Sequence, residues 1–169
     1  MIENINSLIN EYRPRGIIID TVIMLVYIVG SYDLDYISQF KRTDEYCAED
    51  HKTISYVLSR FSRKVVTPHI LAELSNLSVQ ARKEEREDYF KTFRGLLKRT
   101  SEDYIGKDIV LSFPLFPKIG VTDLGIIEAA KENNYLVFTN DKDLVGQAKK
   151  KGVNVLRLND IRTLHWRMK

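Results

Sequence analysis

The sequence predicts an α/β fold, a central and mostly parallel sheet with helices on both faces. Short apolar runs, Ile17 to Ile19, Val65 to Thr67, Tyr135 to Thr139 and Val153 to Leu158, lack the polar alternation of a half-exposed strand and read as strands buried on both sides. Segments of helical periodicity separate them, and strands alternating with helices of this length give parallel pairing. Four acids, Asp20, Glu73, Asp123 and Asp141, stand at or just past the boundaries between apolar run and helix start.

Ile2, Ile5, Leu8 and Ile9 recur at helical spacing, so a short amphipathic helix precedes the first strand as an extension over about residues 1–13. Pro14 and Gly16 break it. Thr21 to Val29 read as a helix buried on several sides, with Gly30 as its stop. From Ser31 to Lys64 the pattern is helical with interruptions, and Asp50 reads as an N-cap. Pro68 suits the first position of a helix whose Ile70, Leu71, Leu74 and Leu77 share a face, with Glu73 on its margin. Gln80 to Arg99 predict one long, charged surface helix, and a further short helix follows Ser101. Phe113 to Pro117 cannot continue a helix. Thr122 is expected to cap a helix through Lys131, and Asp143 to Lys150 form another, ending at Gly152. The tail is basic and aromatic, HWRMK.

A length of 169 residues suits one domain with a real core. The 44% hydrophobic and 29% charged balance is that of an ordinary globular chain, which excludes disorder. The longest apolar stretch, Val22 to Val29, is far too short to span a bilayer, and MIENINSLINEY lacks the basic and greasy regions of a signal peptide. The expectation is a cytoplasmic protein with no membrane partner. A single cysteine, Cys47, excludes an intrachain disulfide and a multi-cysteine zinc site. Its acidic setting, TDEYCAED, disfavours a nucleophilic thiolate. The net charge is +3, and with the four acids set aside the remainder is more basic still, which suits a polyanionic substrate held through a metal.

Ligands of an open parallel sheet bind beyond the carboxyl ends of its strands. Asp20 and the Thr139-Asn140-Asp141 turn fall at such ends, while Glu73 and Asp123 enter from the first turns of helices. Ionised carboxylates gathered there need a counter-ion, and oxygen donors without His or Cys select Mg²⁺ or Mn²⁺ over zinc.

Here the chain resembles the PIN-domain nucleases. The stretches that carry the resemblance are IIIDTVIML, TPHILAELSNL, GVTDLGIIEAAKENNYLVFTNDKDL and GVNVLRL, in the family's order and over most of the chain. The resemblance implies a three-layer α/β/α sandwich in a single PIN-like domain over 1–169 and metal-dependent cleavage of RNA, often as a homodimer. In the VapC-type members the enzyme is the toxin of a toxin-antitoxin pair, which implies an antitoxin or other regulatory partner. Asp20, Glu73, Asp123 and Asp141 match the four acids in order, Asp143 stands where an additional acid is often found, and Thr139 matches a supporting hydroxyl residue. The chain departs from the most compact toxin-like members in its N-terminal helical extension and in the longer, more charged Ser31 to Lys64 region.

Each acid also has a simpler reading. Asp20 and Asp141 could be N-caps, Glu73 a solvated helix residue and Asp123 a first-turn dipole partner. Asp33 and Asp35 read as loop or helix-start acids, and His69 as an exposed histidine that could reach a phosphate. Lys149, Lys150, Arg162 and Arg167 are candidate RNA contacts, although the lysines also suit a helix C-terminus and the Arg162 to Arg167 tail could dock on the body. Two rival functions remain: an inactive PIN-like RNA-binding or scaffold module, and a Toprim-like DNA-processing site on Glu73, Asp141 and Asp143. The second leaves Asp20 and Asp123 without a role.

Overall fold

The structure is a computed structural model that describes residues 2–114, 116 and 118–167. Five strands, β1 (Ile17–Ile19), β2 (Lys64–Val66), β3 (Ser101–Glu102), β4 (Leu136–Thr139) and β5 (Val155–Arg157), form one sheet in the order β3-β2-β1-β4-β5. Each adjacent pair is parallel; Ile18 stands opposite Val65 on one side and Val137 on the other. The central strands are buried along their length, which is why their sequences run apolar without alternation.

The helices are α1 (Ile2–Tyr12), α2 (Thr21–Tyr32), α3 (Ala48–Ser59), α4 (Pro68–Ser78), α5 (Arg86–Leu97), α6 (Lys107–Leu111), α7 (Val121–Asn133), α8 (Lys142–Lys150) and α9 (Leu158–Arg167), with a 3-10 turn at Ile37–Gln39. From β1 the chain steps outward through β2 to β3, then returns to the far side of β1 and continues through β4 to β5. With right-handed crossovers this reversal puts α2 to α5 on one face and α6 to α8 on the other, the three-layer α/β/α arrangement. Between β1 and β4 the winding changes direction, and it is beyond the strand ends at such a position that open parallel sheets form their ligand crevice.

Helix α2 follows Asp20 and buries Ile23 to Val26 and Ile28 to Gly30, consistent with a helix enclosed on several sides. Gly30 does not end it: the helix runs on to Tyr32, and the glycine is needed where the His51 ring crosses, since a Cβ there would lie 2.5 Å from the ring. Helix α3 is capped at Cys47 rather than Asp50. Asp50 sits one turn in, and its carboxylate reaches back to accept the Cys47 amide at 2.9 Å. Pro68 occupies the first turn of α4 and the Thr67 hydroxyl caps it.

The expected long helix over Gln80 to Arg99 is shorter, because residues 79–85 turn and α5 begins at Arg86. Arg86 donates to the Val79 and Ala81 carbonyls across that turn, and Arg82 lies over the Tyr36 ring. Helix α7 is capped at Gly120, with Thr122 inside its first turn, and it ends at the left-handed Asn134. Strand β3 was not expected. Two residues carry no periodicity, and only pairing with Val65 and Val66 makes them a strand. Gly16, at φ 129°, lets the Tyr135 ring and the Arg63 carbonyl close over the start of β1. Of the expected irregular stretch, Leu115 and Pro117 lie outside the described residues. Among the described residues no helix is long and apolar enough to cross a membrane.

Candidate active site

Asp20 follows β1 directly, so it sits at the carboxyl end of that strand, beside the end of β4, and is buried there. It begins α2 but does not cap it with its side chain. Instead its carboxylate accepts the Thr139 hydroxyl at 2.6 Å, from the last residue of β4. The same Thr139 oxygen accepts the Asp141 amide at 2.9 Å. One buried hydroxyl therefore fixes the first acid relative to the fourth. Asp141 is a true N-cap as well: its Oδ1 accepts the amides of Asp143 at 2.7 Å and Leu144 at 2.9 Å, leaving Oδ2 outside the cap. Capping and ligand readings of Asp141 are thus compatible, since they use different oxygens.

Glu73 projects from the second turn of α4 rather than the first, exposed, and its Oε2 accepts the Thr21 hydroxyl at 3.0 Å. Thr21 is the residue after Asp20, so the first and second acids are joined through adjacent backbone positions. Asp123 lies in the first turn of α7, half-buried.

Electrostatics show that these acids form one group. Burial pushes the Asp20 carboxyl up to about 6, against the opposing hydrogen bonds from Thr139 and Thr21, and the charges of Asp141 and Glu73 add to the rise. Asp123 is pushed up to about 7 by burial and then by Asp20, Asp141, Glu73 and Asp143. Five carboxylates from four separate segments feel one another, although among the described residues no three His, Cys, Asp or Glu side chains already stand as an ion cage. The donor set still suits a hard dication. It is all oxygen, its acids repel one another, and Mg²⁺ commonly keeps several waters while taking only one or two carboxylates directly.

Of the expected basic contacts, Lys149, Lys150 and Arg162 are not aimed at these acids. Lys149 and Lys150 are exposed in the last turn of α8, at the opposite end of that helix from Asp141, where they complement its dipole. Arg162 is engaged in a fork to Asp50, with N–O distances of 2.5 and 2.6 Å. The side chains of Trp166 and Arg167 lie outside the described residues. His69 is half-buried rather than exposed, with Nδ1 enclosed against Gly125 and unpartnered among the described residues. Asp33 accepts the Asp35 amide within its own turn.

Residues not singled out as functional also converge here. Thr21 orients Glu73, and Asn140, between Thr139 and Asp141, is held by the Asn159 amide at 3.1 Å and lies beside the Tyr46 phenol. Thr21 and Asn140 were visible as neighbours of acids; Tyr46 carried no signal, because its approach depends on the packing of the segment before α3.

The fold and site define an open parallel α/β protein with an acidic crevice at its topological switch point. No family model matches the chain, and no curated protein matches it in sequence. Among solved structures, a PilT N-terminus domain protein from the archaeon Sulfolobus solfataricus P2 is 16% identical, with a TM-score of 0.45, over 86% of this chain and 88% of that one. A domain of a functionally unknown protein from Methanocaldococcus jannaschii DSM 2661 is 17% identical, with a TM-score of 0.46, over 85% and 90%. Superpositions this loose carry no inference about activity.

Proposed function

We propose that the chain is a metal-dependent endoribonuclease of the PIN type, hydrolysing RNA phosphodiester bonds with Mg²⁺ or Mn²⁺. Asp20, Asp123 and Asp141 would hold the ion directly or through water, and Glu73 would complete the acidic shell. The observation that carries this reading is the meeting of these four acids, from β1, α4, α7 and the β4–α8 turn, in one electrostatically coupled group at the crevice. When bound, the ion would lower the pKa of a coordinated water and offset charge on the phosphate.

The residues of the chain supply the geometry. Thr139 and the Thr21 amide hold Asp20 in one orientation, the Thr21 hydroxyl holds Glu73, and the α8 amides hold Asp141. Asp143, two residues beyond Asp141 in the first turn of α8, adds negative charge felt at Asp123. An antitoxin or other regulatory protein and a second copy of the chain are the proposed partners, in the cytoplasm.

Expression in bacteria of wild type beside Asp20→Asn, with mapping of RNA ends, tests the activity. Discrete new ends only with wild type, abolished by EDTA in the purified protein, are the expected result. Cleavage indifferent to EDTA, or surviving Asp20→Asn, overturns the proposal. Absence of Mn²⁺ binding by calorimetry even with RNA present would leave an RNA-binding module in its place.

A further inference from the structure

We infer that Tyr46, Asp50 and Arg162 are positioning residues that hold the Asn140-Asp141 turn in place by locking the C-terminal helix α9 against α3; this rests on the proposed role of Asp141. The turn after β4 must keep Asp141 facing the crevice, yet Asn140 beside it points its side chain elsewhere. Its Oδ1 accepts the Asn159 amide at 3.1 Å, from the first turn of α9, and its side chain lies beside the Tyr46 phenol. Tyr46 is 5% exposed and close enough to Asp20 for that charge to act on it.

Arg162 ties both of these anchors together. Its guanidinium lies 5.2 Å from the centre of the Tyr46 ring, its Nη1 donates to the Asn159 side chain at 2.9 Å, and its Nε and Nη2 fork onto Asp50. Asp50 is buried, and it also accepts the Cys47 amide at the start of α3. Each of the three guanidinium nitrogens therefore already makes a bond to Asp50 or Asn159. A bidentate arginine fork onto a buried carboxylate fixes direction as well as distance, which a lysine could not do. The hydrogen-bonded path from Asp50 through Arg162 and Asn159 to Asn140 is unbroken, with the Tyr46 ring packed against the guanidinium, and it ends one residue from Asp141.

Tyr46→Phe and Arg162→Gln in the full chain test the inference by hydrogen–deuterium exchange, Mn²⁺ calorimetry and cleavage kinetics. Expected are faster exchange in the 139–144 segment with α1 and α2 unchanged, Mn²⁺ affinity lower by roughly 10-fold, as for other supporting shells, and a fall in kcat with KM held. Tyr46→Phe removes one oxygen from a ring that stays in place, so it answers even where Arg162→Gln fails to fold. Unchanged exchange at 139–144, or acceleration spread evenly over the chain, overturns the inference. So does a rise in KM with kcat held and a shallower salt dependence of RNA binding for Arg162→Gln, the behaviour of a phosphate contact. Should wild type neither bind Mn²⁺ nor cleave RNA, the functional proposal fails while the exchange pattern still decides whether these residues hold the turn.

Discussion

The Thr139 hydroxyl donates to the Asp20 carboxylate across 2.6 Å, joining residues 119 positions apart at the ends of adjacent strands. Because that oxygen also accepts the Asp141 amide, its loss leaves a buried carboxylate oxygen and a backbone donor short of a partner at once. Thr139→Val is expected to cost about 1–3 kcal/mol of stability and roughly 10–100-fold in activity. Thr139→Ser, which restores the hydroxyl, should recover most of both. Urea unfolding and cleavage rates check this, and wild-type activity in the Val variant would remove Thr139 from the site.

The acidic group sets a pH dependence whose sign follows from the raised values. The carboxyls of Asp20 and Asp123 are pushed up to about 6 and about 7 in the folded protein, against an ordinary value of 3.8. Between those values the folded state binds more protons than the unfolded one, so stability without metal falls as pH rises from about 4 to 7. Asp20 alone corresponds to about 3 kcal/mol, or roughly 6–12 °C in melting temperature for a chain of this size. Asp20→Asn should flatten the profile and melt higher than wild type at pH 8. Added Mn²⁺ should raise the wild-type melting temperature more at pH 8 than at pH 5. A wild-type profile that rises toward pH 8 without metal contradicts the coupled cluster.

Asp50 has the opposite sign. Burial alone would raise its carboxyl, but the Arg162 fork and the Cys47 amide hold it below the usual carboxylate range. Its contribution is present above the unfolded value of about 3.8 and is lost as pH falls through the lower folded value. Loss of stability on acidification below pH 4 should therefore be blunted in Asp50→Asn, as melting curves from pH 2.5 to 5 would show.

Asp141 serves two purposes that substitution can separate. Asn caps helices as well as Asp does, so Asp141→Asn should keep α8 and change stability by only a few tenths of a kcal/mol, while Asp141→Ala costs about 1 kcal/mol. Both should abolish cleavage. Equal stability of the Ala and Asn variants would show that the bonds to Asp143 and Leu144 contribute nothing.

Three helical glycines give a packing test free of any functional assumption. A Cβ at Gly95 or Gly146 meets nothing within 4 Å, so Ala there should stabilise by about 0.5–1 kcal/mol. A Cβ at Gly30 would lie 2.5 Å from the His51 ring and 2.8 Å from Ile37, so Ala there should cost about 1–3 kcal/mol despite its better helix propensity. Stabilisation by Gly30→Ala would contradict the packing of α2 on α3.

Much of the layer architecture was legible because a strand buried on both faces must be apolar along its run, as Ile17–Ile19 and residues 136–138 are, with only Thr139 at the end of β4 polar. The four acids were legible by position, each at a boundary where a parallel sheet exposes its strand ends. Boundaries set by distant contacts were not. Gly30 looks like a helix stop until His51 fills the space beside it, Asp50 looks like a cap until its carboxylate turns back to Cys47, and Ser101–Glu102 look like nothing until β2 offers an edge. Arg162 read as a contact for RNA because charge is visible in sequence while its partner, 112 residues away, is not.

The sequence by itself determined that this chain builds a parallel sheet from apolar strands and carries acids at the strand ends, since both follow from local composition and period. Only the tertiary structure decided that Thr139 binds Asp20 and Asp141 together, that the acids push one another's protonation upward, and that Arg162 faces Asp50. Those outcomes depend on distances between segments far apart in the chain, and burial, charge and hydrogen bonding act on distance.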